Sequence, residues 1–190
     1  MPNYGWNPGN GSSPRRRVHV LRGFEATNAQ ALTRTAPAAD TYGAGEANEI
    51  YSGHAISLNN DGEFTRGQFA AGRTVYIALS NASDTDVQAS GLVPGLNCQD
   101  NYEIETPWFE TGGGISYVAD ETRLVATLAG TLTPAGTGED AETIVGKVTR
   151  APYKLNDIST DSAGEGIAVH PFESNELGTT EVLSFVTTQD

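Results

Sequence analysis

Apolar and polar residues alternate with a period of two in stretch after stretch of this chain. Residues 73–79 (RTVYIAL) set Val75, Ile77 and Leu79 on one side and Tyr76 on the other, the pattern of a strand that turns alternate residues to a core. From residue 49 the same period puts Ile50, His54, Ile56 and Leu58 on one face, with Tyr51, Gly53, Ala55 and Ser57 on the other. Residues 122–133 (TRLVATLAGTLT) alternate through Leu124, Ala126, Leu128 and Leu132, and Gly130 predicts a kink in one long strand. Residues 17–21, 101–105, 143–150, 166–172 and 181–187 read as further strands, while 26–34 (ATNAQALTR) predict one or two helical turns stopped by Pro37.

Turn chemistry separates these runs. Asn59-Asn60-Asp61-Gly62 is a tight-turn signal, because Asn and Gly accept positive φ at little cost. Val93-Pro94-Gly95 and residues 134–140 read as turns, and 40–48, 80–87 and 157–165 as loops. Eight to ten short strands without βαβ alternation or a fixed repeat predict an all-β fold, an antiparallel β-sandwich or barrel. Residues 1–22 stand apart from it. The first 14 hold three Pro and three Gly with no apolar period; Tyr4 and Trp6 are their only large apolar groups, and Arg15, Arg16 and Arg17 follow. Such a segment cannot bury enough surface to offset its own ordering entropy. The expected organisation is an extended N-terminal arm, 1–22, on a single β-rich domain, 23–190.

Charge sharpens that division. The chain of 190 residues carries a net −13, yet residues 1–40 hold five Arg against Glu25 and Asp40, a balance of +3 that leaves −16 for the rest. An acidic body repels nucleic acid and anionic membranes, so neither is an expected partner, and the basic arm suits an acidic protein surface such as a neighbouring copy. Cys98 is the one cysteine, which rules out an internal disulfide or a cysteine-rich metal site. No apolar run has the length of a membrane span or the form of a signal peptide, so synthesis in a cytoplasm is expected.

Catalytic and metal chemistry find little footing. His19, His54 and His170 lie in no HxH, HExxH or Cys/His spacing and read as surface or core-edge imidazoles. Asn59, Asp61 and Glu63 have calcium-ligand character, but Phe64 and Ala70 stand where an EF-hand needs Gly and Glu. Asp84 with Asp86 and Glu103 with Glu105 are close carboxylate pairs; a solvated acidic face explains them more simply than acid–base catalysis. No GxSxG elbow occurs, and the GxG at Gly43 and Gly45 lacks the strand and helix of a dinucleotide site. No catalytic residue, metal ligand or cofactor is therefore expected. Trp108 and Phe109, beside Gly112-Gly113-Gly114, form either a binding tip or an aromatic pair packed at the core edge.

The order "SGHAISL", "VYIAL", "GLVPGLNCQDNYEIETPWF", "YVADETRLVATLAGTLT" and "ETIVGKVTRAPY", over residues 50–190, resembles the head decoration (cement) proteins of tailed bacteriophages. The resemblance is one of layout. It implies a non-enzymatic virion structural protein, an all-β body on the capsid exterior that bridges and stabilises capsomers. It implies as partners the major capsid protein and neighbouring copies, in a homo-oligomer, trimer or dimer. Tyr4, Trp6, Arg15, Arg16, Arg17, Trp108 and Phe109 are the expected partner-binding residues. The alternative is a β-sandwich receptor- or carbohydrate-binding module of a head or tail fibre, which requires Trp108 and Phe109 to be accessible.

Overall fold

The computed structural model describes residues 19–22, 33–98, 102–136, 143–154 and 181–187. Within them lie strands β1 (His19–Arg22), β2 (Thr33–Ala36), β3 (Ala55–Leu58), β4 (Phe64–Arg66), β5 (Val75–Ala78), β6 (Val93–Asn97), β7 (Glu103–Thr106), β8 (Arg123–Ala126), β9 (Leu132–Pro134), β10 (Gly146–Lys154) and β11 (Glu181–Thr187). A 3-10 turn (Asp40–Tyr42) and a short helix, α1 (Thr85–Ser90), complete the described elements. The fold is all-β, as the alternation predicts. Two antiparallel sheets, β1-β7-β11-β10-β8-β9 and β2-β6-β5-β3-β4, face each other as a sandwich.

Alternation decides which side chains meet between the sheets. Ala55, Val75, Ile77, Leu96 and Cys98 from the five-stranded sheet pack against Ile104, Leu124, Leu132, Val148, Leu183 and Phe185 from the six-stranded one. Burying a single Leu or Phe of this kind stabilises by about 1.5–3 kcal/mol. The carbonyls at the tip of the β8–β9 hairpin also tie the two layers together. The Ala55 N–H donates to the Gly130 carbonyl at 2.8 Å, and the Arg66 Nε to the Ala129 carbonyl at 2.8 Å. Gly67 permits the approach: its φ is +70°, and a Cβ there would lie 2.0 Å from the Thr127 carbonyl oxygen.

Several expectations are corrected. Residues 122–133 are a hairpin, β8 and β9, and not one kinked strand: Gly130, at φ +81°, sits in the connection. Residues 93–95 are not a turn but the start of β6. Pro94 fits there because the β5 pairing begins only at Gly95, and its carbonyl accepts the Leu79 N–H at 2.9 Å. Thr33 and Arg34 lie in β2, where pairing with β6 overrides helical propensity; residues 26–32 lie outside the described residues. The 80–87 loop contains the start of α1, and residues 50–54 turn rather than extend, with the His54 N–H donating to the Tyr51 carbonyl. Tyr76 does point away from the inter-sheet core, but it is buried in a second cluster with Ile50, Ile56, Phe64, Ala78, Val87 and Val93.

His19–Arg22, assigned to the base of the arm, pair with β7, His19 opposite Glu105, and so form an edge of the six-stranded sheet. Tyr4, Trp6, Arg15, Arg16 and Arg17 lie outside the described residues, as do 157–165 and 166–172.

Candidate functional site

Among the described residues a dense polar construction surrounds the loop between residues 49 and 54. Glu49, buried, accepts the Gly45 N–H at 3.1 Å and the Ser83 N–H at 2.8 Å, fastening two loops to each other. Asn81 accepts the Ser52 N–H at 2.8 Å, while buried Asp84 accepts the Asn81 N–H at 2.9 Å and its amide at 3.2 Å. The Ser52 carbonyl accepts the Trp108 indole N–H at 2.9 Å, and the Thr106 hydroxyl donates to the Gly53 carbonyl at 3.0 Å. Buried donors left without such partners would each cost about 1–3 kcal/mol. The acidic loop at 80–87, which has no role on sequence grounds, is thus a clamp.

His54 sits at the centre of this loop, fully buried. Its Nδ1 accepts the Tyr51 N–H at 3.1 Å, which fixes the neutral ring with its proton on Nε2. Nε2 has no hydrogen-bond partner, and the ring lies 4.1 Å from the Trp108 ring centre. Burial, and secondarily the charge of Arg66, holds the His54 pKa down to about 3. Trp108 is half-buried and stacks nearly parallel on Tyr51 at 5.5 Å. Phe109 is buried in the inter-sheet core, edge-on to Tyr117 at 5.6 Å. The two aromatics therefore face different surroundings, and Phe109 takes the core-edge packing.

On the face of the six-stranded sheet turned from that core, Glu105 is only 4% exposed. The Tyr153 hydroxyl donates to it, and the Arg150 guanidinium lies 3.7 Å over the Tyr153 ring. The solvated-face reading of the 103/105 pair is thus corrected for Glu105, because Tyr153 reaches across β11 to cover it. Asn59, Asp61 and Glu63 make a side-chain-closed turn in which the Asn59 Oδ1 accepts the Asp61 and Glu63 N–H groups, both at 2.9 Å. Among the described residues no group of three His, Cys, Asp or Glu side chains is arranged to hold a metal ion. Burial pushes the Cys98 thiol up, leaving it a core side chain.

A groove of about 210 Å³ opens on the outer face of the five-stranded sheet. Ala38, Gly43 and Ala44 line one wall, and Ala82, Val87 and Gly91 the other. The Gln88 amide, donating to the Ala82 carbonyl at 2.6 Å, stands at the same wall. Residues 37–50 and 80–93, which supply these walls, hold five carboxylates and no Lys, Arg or His. Sequence reasoning missed this feature because the walls come from two distant segments joined only by folding. One signal was present: Asp84 before and Gly91 after a six-residue run mark the ends of α1, and Gly91 adopts φ +70° there.

No family model, no curated protein and no solved structure matches this chain.

Proposed function

We propose that this chain is a virion structural protein, a decoration or cement protein on the outer surface of an icosahedral phage head that bridges and stabilises capsomers. The observation that carries the reading is the use of the buried carboxylates in the described body. Glu49, Asp84 and Glu105 are each committed to internal hydrogen bonds that fasten loops and strands. Acids spent in this way make a stiff plate, whereas a hydrolase on a β-scaffold would aim them into a cleft. The layout resemblance over residues 50–190, the acidic body and the basic aromatic arm support the same reading. Its partners would be the major capsid protein and neighbouring copies, and its place the capsid exterior.

The receptor- or sugar-binding reading draws less support. It needs two accessible aromatics, but Phe109 is buried and the Trp108 N–H is already bound to the Ser52 carbonyl.

Co-sedimentation of the full-length protein with expanded, empty phage heads tests the proposal. Saturable binding at a fixed ratio to the capsid protein is the expected result. Pelleting no greater than with an unrelated acidic protein of the same size would refute it.

A further inference from the structure

We infer that the groove between residues 37–44 and α1 is the seat of the N-terminal arm of a second copy of this chain. The inference rests on the assembly reading above only for its use on a capsid; self-association is its direct content.

Three observations lead there. Apart from Gln88 the groove is lined by Ala, Gly, Pro and Val, small residues that leave a recess an occupant must fill with bulk of its own. The arm carries that bulk in Tyr4 and Trp6, set among Pro residues whose chemistry opposes a helix. Charge is the second. Asp40, Glu46 and Asp86 are exposed on the segments that form the walls, where no cation occurs, and the arm brings Arg15, Arg16 and Arg17. The third is where the arm starts. Residues 1–18 precede β1, on the edge of the six-stranded sheet, whereas the groove lies on the outer face of the opposite sheet. A chain's own arm would have to wrap the sandwich edge to reach it, a path that the arm of a neighbour, up to about 60 Å when extended, need not take.

The division of labour follows from ordinary magnitudes. Exposed ion pairs contribute about 0–1 kcal/mol each, so the arginines orient the arm and steer its approach. An aromatic ring desolvated in the recess supplies most of the affinity, with the Gln88 amide oxygen as an acceptor for the Tyr4 hydroxyl or the Trp6 N–H.

The experiment follows full-length protein labelled with 5-fluorotryptophan by fluorine NMR, with sedimentation velocity on the same samples. The two signals, Trp6 and Trp108, are assigned with Trp6→Phe. The Trp6 signal is expected to move with concentration in step with self-association. Ala44→Phe fills the groove from an exposed position; it should return Trp6 to its dilute-solution shift and weaken association at least about tenfold. Asp40→Lys with Asp86→Lys should weaken it too, and adding Arg15→Glu, Arg16→Glu and Arg17→Glu to that chain should restore it. Circular dichroism checks that each variant is folded.

A Trp6 signal that never shifts, or association indifferent to both groove variants, overturns the inference. So does a Trp6 signal released by Ala44→Phe but independent of concentration, since the arm would then lie on its own chain. No capsid is present in this experiment. Failure here and failure of head binding are therefore separate results.

Discussion

The two faces of the five-stranded sheet are both buried, and by different means. On the inner face, Ala55, Val75, Ile77 and Leu96 meet a second sheet whose inward residues are themselves large and apolar. On the outer face, Ile56, Phe64, Tyr76 and Ala78 meet residues 36–50 and the segment around α1, a cover with little regular structure. A sheet face covered by another sheet needs only alternation on both partners. A sheet face covered by loops needs the backbone of those loops satisfied as well, and Glu49, Asn81, Asp84 and Ser52 supply that. The outer face also needs room. At Gly95 a Cβ would stand 3.0 Å from the Phe64 ring and from the Tyr76 Cβ, and 3.3 Å from the Ile56 Cδ1. The inner face is thus held by packing, with hydrogen bonds at the β8–β9 tip, and the outer face by packing plus a polar frame of side chains.

If that contrast is right, truncation should cost more inside than outside. Phe185→Ala, in a fully enclosed site, is expected to lose about 4–5 kcal/mol in urea unfolding, and Phe64→Ala about 3 kcal/mol because its loop cover can settle. Equal losses, or the reverse order, would break the distinction. The next largest effect joins the two faces at His54. Its folded pKa, about 3, lies below the ordinary 6.5, so the unfolded chain binds the extra proton between those values. The contribution is complete above pH 6.5 and is lost as pH falls toward 3, about 3 kcal/mol between pH 7 and pH 4. Urea titrations should therefore find the wild type's advantage over His54→Gln shrinking by that amount at pH 4. A gap unchanged with pH would show that the imidazole is not held neutral.

The same contrast explains what could be read in advance. Strands on the inner face were legible: the 73–79 and 181–187 patterns became β5 and β11, with Val75, Ile77, Leu183 and Phe185 all in the core. Period-two alternation encodes one buried face, so the second burial of Tyr76 was invisible; it depends on loops arriving from elsewhere in the chain. Residues 93–95 failed for a related reason. Val-Pro-Gly is local turn chemistry, but pairing with β2 and the demand for a Cβ-free site beneath Phe64 made it strand. The candidate site was legible only in its chemistry. Trp108 and the acidic 80–87 loop were singled out, but their partners, Ser52 and Glu49, are 56 and 34 residues away along the chain.

The polar frame itself can be removed without touching the packing. Glu49→Ala strips the acceptor from the Gly45 and Ser83 N–H groups, and an expected loss of about 1–3 kcal/mol follows from leaving them unpaired. Hydrogen exchange is the sharper measurement. The Gly45 and Ser83 amides should exchange much faster in the variant while Ile104 and Leu183, in the inter-sheet core, keep their protection. Uniform acceleration would mean that the cover and the core open as one unit, and the two-face distinction would be structural but not energetic.

The smallest effect is expected where the two sheets are joined through the carbonyls of the β8–β9 tip. Leu128, at the β8–β9 tip, is 81% exposed even though it belongs to the hairpin that docks on the five-stranded sheet. The docking is done by the Gly130 and Ala129 carbonyls and by the close passage of Gly67, none of which involves the Leu128 side chain. Leu128→Ser should therefore change stability by no more than about 0.5 kcal/mol, measured by the urea midpoint at constant slope. A loss of 2 kcal/mol or more, the size expected of a buried leucine, would show that the tip contributes apolar packing to the joint, and the inner core would then have to be drawn to include it.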